Sequence, residues 1–229
     1  MHCPPSRVIS TTCATIGSSA ACLASITAAP SRWCQSIAEL WVAIDAETKL
    51  VPCWRLGDRN AETAYDFVRD LAARLSNRIQ LTSDGHRAYL EAVESAFGSE
   101  VDYAMLMKLY GSDRASEVRN SPAECIGCRA IPVIGKPEAK HISTSFVERQ
   151  NWCVRTTMRL YTRLSNGFSR KIEKHAAAIA LNYFAYNFIK IYRTLRVAPA
   201  MAASVTDRLW DASDLVSLLE AEEREERAA

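Results

Sequence analysis

Residues 40–56, LWVAIDAETKLVPCWRL, hold two β-rich apolar runs on either side of the polar segment Asp45-Ala-Glu-Thr48. That is the pattern of a hairpin with Asp45 at the edge of its turn. Further along, residues 61–77 (AETAYDFVRDLAARLSN) place Ala64, Phe67, Val68, Leu71 and Leu75 on one apolar helix face, at i, i+3, i+4, i+7 and i+11. IQLTS reads as a buried strand ending at Asp84-Gly85, AYLEAVESAF (88–97) as a short helix, and VDYAMLM (101–107) as another strand. A β-β-α-β-α-β order predicts a mixed α/β layer domain.

Beyond it the pattern changes. Residues 111–143 carry Gly, Pro and Ser with no clear period and read as a long connection. Helical spacing returns over 145–163. Residues 168–195 (FSRKIEKHAAAIALNYFAYNFIKIYRTL) read as one long apolar helix that must bury itself against the sheet or a partner, with Pro199 blocking its continuation. The chain ends in an amphipathic DLVSLLEA and a charged EEREERAA that reads as a solvated fray.

Toward the amino end, residues 8–29 (VISTTCATIGSSAACLASITAA) are uncharged, but Ser and Thr break the run too often for a bilayer span or a strong export signal. The reading is a low-complexity, poorly ordered leader over 1–37, a catalytic-type domain over 38–198, and a helical segment with a charged tail over 199–229. The eight cysteines show no compact repeated spacing and read as reduced thiols. Cys125-Ile-Gly-Cys128 is a single CxxC with only His141 shortly downstream, which falls short of a zinc knuckle.

The 229 residues are 48% hydrophobic and 24% charged, ordinary globular usage that excludes wholesale disorder and collagen-like or coiled-coil character. The net charge of +2 announces no nucleic-acid binder. Its distribution does: residues 141–200 carry ten Lys/Arg against Glu148 and Glu173, a local net of +8 suited to tracking phosphates.

Three carboxylates stand at element ends: Asp45, Asp84 and Glu148. Converging carboxylates suit Mg²⁺ or Mn²⁺, and two such ions can activate a nucleophile and stabilise a leaving oxygen in phosphodiester chemistry. Taken singly, each is an ordinary turn Asp or helix-start Glu. Glu148 is followed on a continuous helix by Arg155, Arg159 and Arg163, at about −20°, +20° and +60° around the axis. Arg149, Arg155, Arg159, Arg163 and Lys171 are the candidate DNA contacts. Trp152 reads either as a base or phosphate contact or as a core residue. His86 reads either as a neighbour of a scissile phosphate or as a satisfied hydrogen-bonding residue.

The phrases WVAIDAETKLV, TSDGHRAYLEAVE, DYAMLMKLYG, TSFVERQN, LYTRLSNGFSRKIEKHAAAIALNYFAYNF and TLRVAPAMAASVTDRLW resemble transposases of the insertion-sequence-one type, over roughly two-thirds of the chain. The resemblance implies a ribonuclease-H-like mixed sheet flanked by helices, with a long carboxyl-terminal helical region. It also implies an Asp-Asp-Glu triad holding Mg²⁺ or Mn²⁺, and metal-dependent cleavage and transfer of DNA strands in transposition. The implied partners are element ends, target DNA and a second copy of the chain, in a cytoplasmic, nucleoid-associated protein away from the membrane.

Asp84 matches the second triad carboxylate and Glu148 the third, and both are the expected metal ligands. The family's first Asp lies in an Asp-Glu-x-Trp phrase on the opening strand, but residues 31–39, SRWCQSIAE, contain no Asp. Asp45 substitutes only if the fold brings it beside Asp84. The usual Cys-rich or helix-turn-helix DNA-binding module is also absent from the leader. The reading is a remnant or frame-altered transposase with DNA affinity and a damaged active site. The alternatives are a non-catalytic DNA-binding or interaction protein of the same descent, and a metal-dependent nuclease acting on RNA–DNA hybrids. The missing opening strand predicts marginal stability unless residues 8–22 supply a substitute.

Overall fold

The computed structural model describes residues 7–14, 39–111, 125–161 and 172–228. It is a mixed α/β structure that divides into two compact units, one of Met1–Glu47 and Pro52–Arg170, the other of Thr48–Val51 and Lys171–Ala229. The expected 38–198 domain is therefore split between them. Among the described residues no helix is long and apolar enough to cross a membrane.

The first unit is built on a six-stranded sheet of order β3-β2-β1-β4-β5-β6. Its strands are β1 Arg7–Ala14, β2 Glu39–Asp45, β3 Cys53–Gly57, β4 Ile79–Asp84, β5 Val101–Tyr110 and β6 Cys125–Ile134. β1, β4 and β5 run parallel, while β2, β3 and β6 are antiparallel to their neighbours. The helices are α1 Ala61–Ala73, α2 Ala88–Phe97 and α3 Ser145–Thr157.

β2 is buried on both faces from Leu40 to Asp45, which is why LWVAI reads as a continuous apolar run rather than an alternating one. Trp41 and Ala43 join Ile9, Ile79, Leu81, Val101 and Tyr103 in one core with Phe67, Leu71, Tyr89 and Val93 of α1 and α2. The other phase of β2, Leu40, Val42 and Ile44, is equally buried, and α3 packs on β1 and β2. Asn60 starts α1 by accepting the Thr63 N–H at 2.8 Å. At the far end of the sheet Arg78 grips both oxygens of Asp102, at 2.9 and 3.0 Å, and Asp102 also accepts the Lys136 N–H.

The condition set by the sequence is met: residues 7–14 form β1, the central strand, paired on one side to β2 and on the other to β4. The rest of the expected leader lies outside the described residues. Three expectations are corrected. The connection over 111–143 contains β6, an edge strand whose Pro132 lacks an N–H to donate and is tolerated because an edge needs fewer. The helix expected over 145–163 ends at Thr157, where the Thr156 and Thr157 hydroxyls bond back to Cys153 O at 2.9 Å; Arg159–Tyr161 is a separate 3₁₀ turn. α1 ends at Ala73, short of the expected residue 77.

The second unit carries α4 Ile172–Phe184, α5 Pro199–Ala202 and α6 Ala212–Ala228. The helix expected over 168–195 stops at Phe184 and passes into a π-helical turn, Ala185–Ile189, closed by the Lys190 N–H on Ala185 O at 2.8 Å. That turn aims Asn187 at Val51, whose N–H and C=O it pairs at 3.0 and 2.9 Å, and Tyr186 donates to Lys49 O. Pro199 opens α5 rather than closing a longer helix. The expected fray is helical: α6 runs through EEREER with Glu220–Arg224 and Glu223–Arg227 pairs at i, i+4.

Candidate functional site

β1, β4 and β5 are parallel, so their carboxyl ends gather at one end of the sheet, where side chains from separate strands can meet. Asp84 closes β4 there and accepts the His86 N–H at 3.2 Å, a local turn that steers the chain into α2. In register Asp84 stands beside Leu106 of β5. Lys108 follows two residues on, and by strand alternation it shares the Asp84 face. Its ammonium meets Glu148 Oε1 at 2.8 Å, and Thr144 donates its hydroxyl to the same oxygen. Asp84 and Glu148 therefore belong to one end and one face, with Lys108 between their elements.

Asp45 does not join them. Its register partner is Ile9, which stands level with Leu81, three residues before Asp84 and two strands away. That separates the two Cα atoms by about 14 Å, and the odd step along the strand puts the carboxylates on opposite faces. Asp45 is buried and accepts the Glu47 N–H at 2.9 Å, so its role is to hold the hairpin turn. β1 and β4 pair as far as Thr11 and Ser83, and one further step of the strand repeat sets Thr12 level with Asp84. The strand RVISTTCA carries no Asp or Glu at all.

His86 lies on the α1–α2 side. Its ring packs against Trp41 at 5.6 Å and Tyr89 at 6.1 Å, and its Nε2 is buried without a hydrogen-bond partner. Burial, helped by the Arg59 charge, holds its pKa below the ordinary value, against the opposing pull of Asp84 and Glu39. Glu39, at the start of β2, is a carboxylate that the sequence reading passed over. It stands at the Asp84 end but in phase with Trp41, on the other face.

Of the expected basic contacts, Arg149 and Arg155 lie on α3, while Arg159 falls in the 3₁₀ turn and off the helical face assumed for it. Arg163 and Lys171 lie outside the described residues. Trp152 is 63% exposed, which settles it as a surface residue. Lys108 was missed; its even phase with Leu106 in DYAMLMKLYG was the available signal.

Cys125 and Cys128 sit on β6, where a register shift next to Leu109 pairs Cys128 with Lys108 and Cys125 with Tyr110. This irregularity brings both thiols to the Lys108 side. Burial, the neighbouring Cys125 thiol and Glu148 push the Cys128 thiol up, against the pull of Lys108. His141 belongs to a 3₁₀ turn and faces Glu138 at 3.6 Å. Among the described residues no three His, Cys, Asp or Glu side chains are grouped to hold a metal ion, whether zinc at the CxxC or Mg²⁺ or Mn²⁺ at Asp84. Cys53, Cys125, Cys128 and Cys153 are free thiols.

No protein-family model matches the chain, and no curated protein matches it significantly.

Proposed function

We propose that the chain is a DNA-binding protein of transposase descent, in which a basic helix beside a two-carboxylate site persists and the strand-cleaving centre lacks its first carboxylate. The mixed sheet with helices on its faces agrees with the ribonuclease-H-like arrangement that the resemblance implies. The juxtaposition of Asp84 and Glu148 at one sheet end agrees with the second and third triad positions. The observation that carries the reading is β1: the strand beside Asp84 offers no Asp or Glu, and Asp45 is on the wrong face.

Two-ion phosphodiester chemistry would draw on a set of carboxylates larger than Asp84 and Glu148. The residues present do not complete that set, so no cleavage step is assigned to them. What remains is electrostatic. Arg149 and Arg155 on α3, within the basic 141–200 region, supply phosphate contacts that carry affinity without chemistry.

The test uses purified protein and labelled duplex DNA in Mn²⁺. We expect salt-sensitive binding, with the salt slope falling by about one for each of Arg149→Ala and Arg155→Ala, and no nicking. Nicking that disappears in Asp84→Asn or Glu148→Gln would overturn the proposal and restore an active transposase.

A further inference from the structure

α3 exposes an unusual arc. Taking Glu148 as the origin, Trp152 lies at about 40°, Arg155 at about −20° and Arg149 at about 100° around the helix. Val147, Gln150, Asn151 and Val154 fill the opposite, buried side. An indole ring thus stands in solvent one turn after Glu148, with the exposed Arg149 three residues before it and the half-buried Arg155 three residues after it. The contrast with Trp41 is sharp, since that ring is fully enclosed in the core. A side chain with so much apolar area is expensive to leave wet.

A protein partner would meet this surface with apolar groups, and the two flanking guanidinium groups would then have to be desolvated. A nucleic-acid strand meets it without that conflict. A base offers a π-face to the indole, and the phosphates on either side of that base offer charge to the arginines. A paired base inside a duplex hides its face in the stack, so the ligand must be an unpaired base.

We propose that Trp152 is a stacking platform for an unpaired base of a DNA strand, with Arg149 and Arg155 holding the adjoining phosphates. This rests on the DNA-binding reading above and adds to it a preference for frayed or single-stranded DNA next to Asp84 and Glu148. Trp152 acts here as a binding residue and takes no part in bond cleavage.

The experiment compares a blunt duplex with the same duplex carrying a short single-stranded tail, by fluorescence anisotropy, for the full chain and for Trp152→Ala and Trp152→Phe. 2-Aminopurine in the tail reports stacking directly. Wild type should prefer the tailed DNA and quench the probe. Trp152→Ala should bind the tailed DNA about ten- to a hundred-fold more weakly, while binding to the blunt duplex is unchanged. Trp152→Phe should keep most of the preference and the quench.

Equal binding of both DNAs by wild type and Trp152→Ala overturns the stacking role and leaves the DNA-binding reading standing. No binding of either DNA by wild type overturns both. A wild-type dimer that becomes monomeric in Trp152→Ala, by sedimentation, assigns the ring to a subunit contact and overturns the proposal. Because the side chain is exposed, circular dichroism melting should be the same for all three proteins.

Discussion

One step beyond the Thr11–Ser83 pair, strand geometry sets Thr12 level with Asp84 on the neighbouring parallel strand, and the proposed loss of cleavage turns on that position. Thr12→Asp would put a carboxylate next to Asp84. Without divalent ions the new like-charge pair should lower the melting temperature, and Mg²⁺ or Mn²⁺ should restore it. Metal-dependent nicking should appear with the restored stability and vanish again on adding Glu148→Gln. His86 gives a second expectation. Its pKa is depressed, so the unfolded chain takes up the proton near 6.5 while the folded chain resists it to lower pH. The stability associated with the neutral ring is therefore complete above that value and is lost as pH falls through the folded pKa. Melting temperature should drop on acidification from about pH 7 to 5, and His86→Gln should flatten that slope. In the candidate site, the places of Asp84 and Glu148 in the fold were legible, because an Asp-Gly after an apolar run marks a strand end and a Glu before a spaced apolar set marks a helix start. Asp45 could be offered only conditionally for a physical reason: proximity in sequence says nothing about which face or level of the sheet a residue reaches until strand direction is known.

Elements with strong periodicity were the readable ones. α2 begins and ends where its apolar spacing does, and β4 stops at Asp84 as its run predicts. β6 escaped because Pro132 looks like a breaker, and only knowledge that the strand is at an edge removes the objection. The helix expected over 168–195 looked continuous because π-turn residues are as apolar as helical ones; what ends α4 is the long-range bond from Asn187 to Val51. Two glycines test how element ends are fixed. Gly98, after α2, has φ +55° and open space around a would-be Cβ. With ψ at −124° as well, Gly98 lies outside the left-handed helical region in backbone space open essentially to glycine alone, so Gly98→Ala should cost about 2 kcal/mol. Gly135, after β6, has φ +69°, and a Cβ there would collide with Asp102 Oδ1 and crowd Arg78 Nη2 at 3.1 Å. Gly135→Ala should cost roughly 3 kcal/mol, because it also dislodges the Asp102 clamp. Urea unfolding of the two variants checks the difference.

For the molecule as a whole, β1 is the seam. Among the described strands it alone joins the β3-β2 hairpin to the β4-β5-β6 half of the sheet. Thr11 pairs with both Ala43 and Ser83, so Thr11→Pro removes a donor in the middle of the ladder and should abolish cooperative unfolding. Circular dichroism and hydrogen exchange would detect the loss; a Thr11→Pro protein that melts like wild type would contradict the central placement. The fold class was legible from the order of elements, whereas this seam was not, since RVISTTCA looks like the low-complexity stretch around it. Its position has a further consequence during synthesis. β1 leaves the ribosome about 70 residues before β4, its parallel partner. At ordinary translation speeds that is a wait of about 4 to 14 s with one edge of the nascent sheet unclaimed. For that interval the growing chain presents a ready template to any neighbouring strand, so its yield in the cell should depend on chaperone capture more than on the stability of the finished protein.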